Sequence, residues 1–374
     1  MRVIIAGGGT GGHVFPGLAL AEELKKRDAV VEVVFVGTEA GIEARVVPRE
    51  GYPIRYVRAS GIVGMSVFGK MRAVMLSVLS IFDAYRIIQA VRPDIVIGVG
   101  GYASGAVVFL ASLLSVPTMI LEQNSAPGMT NKILGKFVDS VCVTYQESMS
   151  FFPSDKAFLT GNPVRERLLK GSAAVGRRLF SLGEGLFTVF VFGGSSGARS
   201  INKAIVECLP HLDDLKDRVQ FLHQTGQADY DAVRNAFRES GYRGTIVPFI
   251  YEMGDAYAAA DLVISRAGAT TLAELTVLGK PAILVPYPFA AGRHQEFNAL
   301  KLQEMGAARV ILDGELRGET LAAAIRELVL DAATREEMRR ASASIGRPDA
   351  AARVADVAFS LLRQSSPSGA RHAV

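Results

Sequence analysis

The sequence predicts an α/β protein made of two doubly wound, Rossmann-like domains in tandem. Its 374 residues are too many for one ordinary hydrophobic core. From the first residue onward, short apolar runs alternate with helical stretches, which is the pattern of a parallel sheet with helices on both faces. This pattern breaks at residues 160–163 and begins again near residue 188. We therefore expect two sheets, with ligands bound at the carboxyl ends of their strands.

The predicted strands are short β-branched or apolar runs bounded by glycine or proline. In the first domain they cover residues 3–6, 31–36, 94–99, 118–121 and 140–143, with an amphipathic helix over 18–27. In the second domain they cover residues 188–192, 220–223, 245–248, 262–265 and 282–285. We place the domains at residues 1–162 and 163–346, followed by a helix at 347–364 that packs back on the first domain and a disordered tail at 365–374.

Composition narrows the class of protein. Hydrophobic residues make up 49% of the chain and charged residues only 21%, which fits a globular protein with large buried sheets. No apolar run reaches the roughly 18–20 residues of a spanning helix, and the start of the chain does not resemble a signal peptide. Two distant cysteines, Cys142 and Cys208, argue against a disulfide framework and fit a reducing cytoplasm. The net charge of +4 suits anionic ligands or lipid surfaces but is too small to indicate nucleic acid.

Three glycine loops follow predicted strands. Gly7, Gly9 and Gly12 form a G-x-G-x-x-G pattern, and similar loops lie at residues 98–101 and 193–197. Glycine lets backbone N–H groups approach a phosphate at a helix N-terminus. Each loop alone is equally compatible with a tight turn, and the first also fits an NAD-dependent oxidoreductase, although only Glu39 offers the acidic ribose contact. Together the three loops favour an anionic ligand.

A fourth loop, residues 265–271, joins a predicted strand to a helix that contains Glu274. Its amides and hydroxyls can hold a diphosphate, and Glu274 can accept hydrogen bonds from both ribose hydroxyls. The alternative is that Glu274 is a solvated carboxylate that complements the helix dipole. Only residues 229–231 have an Asp-x-Asp spacing that could hold a metal ion, and they follow no predicted strand, so we predict no metal site.

Taken together, these motifs closely resemble the MurG family of glycosyltransferases. The matching segments are residues 7–17, 98–102, 122–124, 161–165, 193–199, 266–274 and 293–299. The chain departs from the family pattern at Ser196, where glutamine is common, and at residues 292–294, which replace a run that usually contains aspartate. The first segment, with His13, is the most specific of these matches.

The resemblance implies a GT-B fold with a cleft between the two domains. It also implies an inverting transfer of N-acetylglucosamine from UDP-N-acetylglucosamine to the 4-hydroxyl of undecaprenyl-diphospho-N-acetylmuramoyl-pentapeptide, without metal or other cofactor. The implied partners are the UDP-sugar, the lipid-linked acceptor, an anionic membrane surface and other cell-wall synthesis proteins, but no nucleic acid. The implied location is the cytoplasmic face of the inner membrane. An oxidoreductase and a non-catalytic nucleotide-sugar binding module remain the alternative functions.

The resemblance also assigns site residues. Those for UDP-N-acetylglucosamine are Thr10, Gly11, Gly12, Asn124, Arg165, Ser195, Ile250, Ala269, Thr270, Thr271, Leu272, Ala273, Glu274 and Gln295. Those for the acceptor diphosphate are Gly9, Gly100, Gly101 and Tyr102. Ser195, Arg165 and the loop at residue 269 would hold the diphosphate, Ile250 would offer backbone groups to uracil, and Glu274 would bind the ribose. Gln295 and Asn124 would contact sugar hydroxyls or the acetamido group.

His13 is the candidate general base. An inverting transfer needs the acceptor hydroxyl deprotonated as it attacks, and histidine titrates near the working pH. The alternative is that His13 only donates a hydrogen bond to a diphosphate oxygen.

An apolar stripe with flanking cations predicts a membrane-facing surface. Its members at helical spacing are Met71, Val74, Met75, Val78, Leu79 and Phe82, with further apolar residues at 67, 68, 76, 81 and 88 and cations at 70, 72, 86 and 92. An apolar surplus ringed by cations suits docking on anionic lipids. The alternative is a helix buried between the sheet and its neighbours.

Overall fold

The structure, a computed structural model, describes residues 1–59 and 67–365, without the side chains of residues 67–78, 291 and 365. It divides into two compact units. Unit 1 is Met1–Arg165 with Pro348–Val374, and unit 2 is Glu166–Arg347. Each unit has its own parallel sheet and is described by itself.

Unit 1 contains a seven-stranded parallel sheet in the order β3-β2-β1-β4-β5-β6-β7. Its strands are β1 (Arg2–Gly7), β2 (Glu32–Gly37), β3 (Ile54–Tyr56), β4 (Ile95–Gly100), β5 (Thr118–Glu122), β6 (Ser140–Val143) and β7 (Ala157–Leu159). Its first helices are α1 (Gly11–Arg27), α2 (Glu43–Arg49), α3 (Val67–Val91), α4 (Tyr102–Leu113) and α5 (Met129–Leu134). The strand order reverses between β1 and β4, which makes the ends of these two strands the place where a doubly wound sheet binds ligands.

Unit 2 contains a six-stranded parallel sheet in the order β10-β9-β8-β11-β12-β13. Its strands are β8 (Phe187–Phe192), β9 (Val219–Gln224), β10 (Gly244–Val247), β11 (Leu262–Ser265), β12 (Ala282–Leu284) and β13 (Arg309–Val310). Its helices are α6 (Glu166–Leu169), α7 (Ala173–Leu179), α8 (Arg199–Cys208), α9 (Tyr230–Ser240), α10 (Met253–Ala259), α11 (Ala269–Val277), α12 (His294–Glu304), α13 (Gly318–Leu330) and α14 (Ala332–Ile345). The order reverses between β8 and β11, so the expected site of unit 2 lies at their carboxyl ends.

The last helix, α15 (Ala350–Ser365), belongs to unit 1 and packs against α1. Its buried residues Val354, Ala355, Ala358 and Leu361 join the hydrophobic cluster that contains Leu18 and Leu24 of α1. An ion pair between Arg27 and Asp356 lies beside this contact. Ser365 ends α15, and the rest of the predicted tail lies outside the described residues.

All ten predicted strands are present, within one residue or so at each end. The sequence missed β3, β7 and β13, which are two or three residues long and partly exposed, so they carry no continuous apolar run. It also placed the start of α1 too late, because the glycines before residue 13 and Pro16 disfavour helix and hide its first turns.

The predicted membrane stripe falls largely on α3, and its members Met71, Val74, Met75 and Val78 lie outside the described side chains. Among the described residues, no helix combines the length and the apolarity that crossing a membrane requires.

Candidate active site

The first two glycine loops pack directly on each other at the carboxyl ends of β1 and β4. The Gly8 amide donates to the Gly100 carbonyl over 3.2 Å. Gly101 has a φ of +83°, and a Cβ on it would lie 2.3 Å from the Gly8 carbonyl oxygen. Only glycine fits at position 101. Because the two loops are in contact, Gly9, Gly100 and Gly101, which are predicted to bind the acceptor diphosphate, lie together. Tyr102 begins α4 beside them and is exposed.

His13 lies in the first turn of α1, against both loops. Its Nδ1 is 3.1 Å from the Gly8 carbonyl oxygen and 3.4 Å from Thr10 Oγ1. A Cβ on Gly100 would lie 2.6 Å from His13 Cδ2, so the ring rests on that glycine. Because a carbonyl oxygen can only accept, the bond to Gly8 requires the hydrogen on Nδ1 and leaves the lone pair of the neutral ring on Nε2.

The first loop contacts Glu43 through Gly9 and leads into the start of α1. The Gly9 amide donates to the carboxylate of Glu43 over 2.7 Å. Gly11 and Gly12 begin α1, and the dipole at the N-terminus of a helix favours an anion.

Arg165 is buried beside the same end of α1. Its exposed fraction is 3%, and its guanidinium stacks on the ring of Phe15 at 4.1 Å from the ring centre. A stacked, buried guanidinium is held in one place and keeps its charge, which suits binding of a phosphate.

Asn124 follows β5 and is held by the buried carboxylate of Glu122. The Asn124 backbone amide and its side-chain Nδ2 donate to Glu122 Oε1 over 2.9 and 3.2 Å. Glu122 Oε2 accepts from the side chain of Asn131 and the amide of Gly128 over 2.8 and 3.2 Å. Burial raises the pKa of Glu122, and these hydrogen bonds oppose the rise.

In unit 2 the third glycine loop follows β8, and Ser195 is exposed at its tip. Gln224, at the end of β9, donates through Nε2 to the Gly194 carbonyl over 2.9 Å. Gln224 Oε1 accepts from the Ile250 amide over 2.8 Å. The Gln224 side chain therefore links the third glycine loop to Ile250, and the Ile250 amide is hydrogen-bonded within the protein.

The N-terminus of α11 carries the remaining predicted donor-site residues of the 269–274 segment. The first amides of this helix belong to Ala269, Thr270 and Thr271. The Leu272 amide donates to the Gly268 carbonyl over 2.9 Å, and the Leu272 side chain is buried, so Leu272 supports the helix from within. Ala273 follows it and is partly exposed.

Glu274 lies deeper in α11 and has an exposed fraction of 6%. Its Oε2 accepts a 2.8 Å hydrogen bond from the hydroxyl of Tyr257, which is itself buried against Phe190 and Phe192. The alternative that Glu274 is a solvated carboxylate is therefore wrong. Gln295, in the first turn of α12, accepts from the Tyr287 amide over 3.0 Å.

Comparison with known proteins identifies the family. The model of the glycosyltransferase family 28 N-terminal domain matches residues 3–143, and that of the C-terminal domain matches residues 188–354. The chain belongs to glycosyltransferase family 28.

Curated relatives of this family 28 chain match it along nearly its whole length. One from Thermodesulfovibrio yellowstonii is 49% identical over 97% of this chain and 100% of the relative. One from Myxococcus xanthus is 47% identical over 99% of this chain and 95% of the relative. Both are named UDP-N-acetylglucosamine--N-acetylmuramyl-(pentapeptide) pyrophosphoryl-undecaprenol N-acetylglucosamine transferase.

Solved structures agree with this assignment. The crystal structure of Acinetobacter baumannii MurG superposes with a TM-score of 0.73 at 29% identity, covering 96% of this chain and 99% of that one. A UDP-N-acetylglucosamine 2-epimerase from Neisseria meningitidis, at 12% identity and a TM-score of 0.68, covers 96% of this chain and 100% of its own, and shares the fold alone. The predicted membership of the MurG family and the predicted GT-B fold class are confirmed.

Four residues of this family 28 chain support the predicted site, although the sequence analysis gave them no role: Glu43, Glu122, Gln224 and Tyr257. Glu122 and Gln224 are polar residues at the carboxyl ends of buried strands, a position that could have pointed to them. Tyr257 lies in an apolar stretch of α10 and has no such signal. Among the residues that the structure describes, no group of three or more His, Cys, Asp or Glu is placed to hold a metal ion.

Proposed function

We propose that this chain transfers N-acetylglucosamine from UDP-N-acetylglucosamine to the 4-hydroxyl of an N-acetylmuramoyl-pentapeptide carried on undecaprenyl diphosphate. The observation that carries this proposal is the nearly full-length match, at 49% and 47% identity, to relatives named for that transfer. The family 28 domains at both halves of the chain agree with it.

In unit 2, the N-terminus of α11 provides the diphosphate site. The amides of Ala269, Thr270 and Thr271 point out of the helix end, where the helix dipole also favours negative charge. The hydroxyl of Ser195 would add a donor. These groups would stabilise the charge that grows on UDP as its bond to the sugar breaks.

The nucleoside would be recognised beside that helix. Tyr257 occupies one edge of the Glu274 carboxylate and orients it, so that Glu274 can accept hydrogen bonds from the ribose hydroxyls. The amide of Ile250 is taken by Gln224, so we assign the Ile250 carbonyl to the uracil. Gln295 would contact the sugar.

In unit 1, His13 would act as the general base. With the hydrogen held on Nδ1, the Nε2 lone pair is the group that can take the proton of the acceptor hydroxyl. Gly11 and Gly12 at the start of α1, together with Arg165, would hold phosphate oxygens. We propose that the transfer inverts the anomeric centre and needs no metal.

The oxidoreductase alternative conflicts with the first loop. In a dinucleotide site the backbone of that loop must approach the pyrophosphate. Here the Gly9 amide donates to the buried Glu43 carboxylate, so Gly9, which was also predicted to contact the acceptor diphosphate, does not offer its amide to a phosphate. Glu39, the candidate ribose contact, is exposed beyond β2.

A turnover assay with lipid-linked acceptor and UDP-N-acetylglucosamine, run in EDTA, tests this function. We expect Glu274→Gln to weaken UDP binding, because a hydrogen bond to a charged group contributes about 1.5–3 kcal/mol. We expect His13→Ala to lower kcat by at least about 100-fold while UDP still binds. Titration calorimetry with UDP separates the two roles. Loss of UDP binding in His13→Ala alone would contradict the assignment, and a requirement for added Mg²⁺ would contradict the metal-free mechanism.

We also propose that unit 1 docks on an anionic membrane surface at the cytoplasmic face of the inner membrane. Helix α3 packs on α4, and α4 on α5. Large apolar side chains on these helices, or just after α5, are exposed: Ile81, Phe82, Tyr85, Leu113, Ile133 and Phe137. Arg86 stacks over Phe82 at 4.3 Å, and Lys132 and Lys136 are exposed near Ile133 and Phe137. These residues form the apolar-basic surface of unit 1.

A further inference from the structure

We propose that Glu43 is a positioning residue that sets the tautomer and orientation of His13 through a single peptide group. The proposal rests on the role of His13 as general base in the proposed function. Glu43 begins α2, one strand away from the first glycine loop in the sheet, and has an exposed fraction of 1%.

The Glu43 carboxylate accepts three hydrogen bonds from the protein. Its Oε2 accepts from the Gly9 amide over 2.7 Å. Its Oε1 accepts from the Thr38 amide and the Thr38 hydroxyl over 2.8 and 2.9 Å. A buried carboxylate with three donors is a fixed charge rather than a mobile side chain.

Three glycines make room for this carboxylate. A Cβ would lie 2.2 Å from the Glu43 carboxyl group if placed on Gly8, 2.4 Å from its Cγ if placed on Gly37, and 2.1 Å from Oε2 if placed on Gly41. The backbone therefore encloses the carboxyl group from three sides. Because the Glu43 side chain is enclosed in this way, it fixes the position of the Gly9 amide that it binds.

The peptide group between Gly8 and Gly9 connects Glu43 to His13. Its N–H, on Gly9, donates to Glu43, and its carbonyl, on Gly8, accepts from His13 Nδ1 over 3.1 Å. A trans peptide is planar and rigid, so fixing its N–H also fixes its C=O. Gly101 packs against the same carbonyl and limits its movement further.

This arrangement has an electronic consequence as well as a geometric one. A carboxylate bound to the N–H polarises the peptide group and makes its carbonyl oxygen a stronger acceptor. The stronger acceptor holds the hydrogen on His13 Nδ1 and stabilises the imidazolium that forms when Nε2 takes the acceptor's proton. Glu43 thus acts on His13 without touching it.

The test is Glu43→Gln, which keeps the size of the side chain but replaces one accepting oxygen by a donor. We expect kcat to fall about 10–100-fold, because a small misplacement of a reacting group has that effect. The KM for UDP-N-acetylglucosamine and the affinity for UDP should stay within about twofold, since donor binding does not depend on this tautomer. Nitrogen-15 NMR of the imidazole, assigned with His13→Ala, should show one tautomer of His13 in the wild type and a mixture in the variant.

Asp139→Asn is the matched control. Asp139 Oδ2 accepts from the amide and the hydroxyl of Thr118 over 2.8 and 3.1 Å, as Glu43 does from Thr38. This contact lies at the amino end of β5, whereas the glycine loops lie at the carboxyl ends of the strands. We expect Asp139→Asn to lower stability and to leave both kcat and the His13 tautomer unchanged.

Wild-type kcat and a single His13 tautomer in Glu43→Gln would overturn the proposal, as would equal losses of kcat in Asp139→Asn. If Glu43→Gln does not fold, Thr38→Val provides a second test, because it removes only the hydroxyl donor to Glu43. We expect Thr38→Val to lower kcat several-fold and to give a partial mixture of His13 tautomers. Wild-type kcat and a single tautomer in Thr38→Val would then overturn the proposal. Full turnover in His13→Ala would instead remove His13 as the base, while the tautomer measurement would still report on Glu43.

Discussion

His223 is a fully buried histidine in β9 of unit 2. Its Nε2 lies 2.9 Å from Asn202 Oδ1, an amide oxygen that can only accept, so Nε2 carries the hydrogen. The same Asn202 donates through Nδ2 to the Thr225 carbonyl and to Asp229. Burial lowers the pKa of His223 to about 3. The residue is therefore neutral in the folded protein over the whole working range of pH.

This buried neutral histidine should make the protein sensitive to acid. In the unfolded chain His223 takes up a proton below about pH 6.5, whereas the folded state resists protonation until about pH 3. Stability is thus lost as pH falls, by about 1.4 kcal/mol per unit below 6.5. Between pH 7 and pH 5, we expect the free energy of unfolding to fall by on the order of 2 kcal/mol less in His223→Gln than in the wild type. Urea unfolding at the two pH values measures this difference.

The control for this prediction is His211→Gln. His211 is exposed in the short helical segment after α8, so its replacement should leave the acid sensitivity as in the wild type. An acid sensitivity of His223→Gln as large as that of the wild type would show that other groups control it.

At the scale of residues, the sequence pointed to the motifs of the proposed site but not to the residues that hold those motifs in place. The glycine loops, His13 and the α11 segment are contiguous motifs, so a sequence shows them directly. Glu43 holds Gly9 from 34 residues away, and Tyr257 holds Glu274 from 17 residues away. Such partners become visible only when the chain folds, because no spacing rule links them.

At the scale of elements, burial and length together decided which strands could be predicted, since β10 is a partly exposed edge strand of four residues and was predicted. The central strands β1, β4, β8 and β11 are buried almost throughout and read as continuous apolar runs. Strands at the sheet edges, such as β3 and β13, are held by pairing with one neighbour and keep polar side chains. Their sequence therefore resembles that of a loop.

Helix α15 shows how a distant segment completes a core, and it supports a prediction. Ala358 has an exposed fraction of 1% within the cluster that includes Leu18 and Leu24. Ala358→Asp would bury an unpaired charge, so we expect a loss of about 3–5 kcal/mol in the free energy of unfolding, or detachment of α15. Gln364→Asp places the same side chain on an exposed position of the same helix and should have little effect. Urea unfolding and limited proteolysis of residues 348–365 compare the two variants. Equal effects of Ala358→Asp and Gln364→Asp would contradict the packing of α15 on unit 1.

At the scale of the whole molecule, both units have a reversal of strand order at the place where ligand-binding groups are proposed. In each unit the strand order reverses beside the first strand, and the loops after the two central strands carry the proposed ligand-binding groups. Unit 1 presents a histidine and a helix start, and unit 2 presents a helix start and a buried carboxylate. The two units therefore bring complementary chemistry, which suits a reaction between two substrates.

The apolar-basic surface of unit 1 leads to the last prediction, which concerns where the molecule works. A lipid-linked acceptor keeps its diphosphate at the membrane surface, so we expect the enzyme to bind there. Each lysine near an anionic surface contributes about 1 kcal/mol, and exposed side chains such as Ile133 and Phe137 can insert without screening by salt. We expect the protein to co-sediment with vesicles that contain anionic lipid and less with zwitterionic ones. Added salt should weaken this binding without abolishing it.

The substitutions that test this surface are Lys132→Glu with Lys136→Glu. Reversing both charges should lower binding to anionic vesicles by at least about tenfold, because attraction becomes repulsion, while the affinity for UDP stays unchanged. Lys25→Glu with Lys26→Glu is the matched control, since it makes the same change in net charge on exposed residues of α1 in the same unit. Ile133→Ser with Phe137→Ser should remove the part of the binding that persists in high salt. If the two charge-reversed proteins bind anionic vesicles equally, the membrane surface lies elsewhere on the molecule, because only a local contact distinguishes variants of the same net charge.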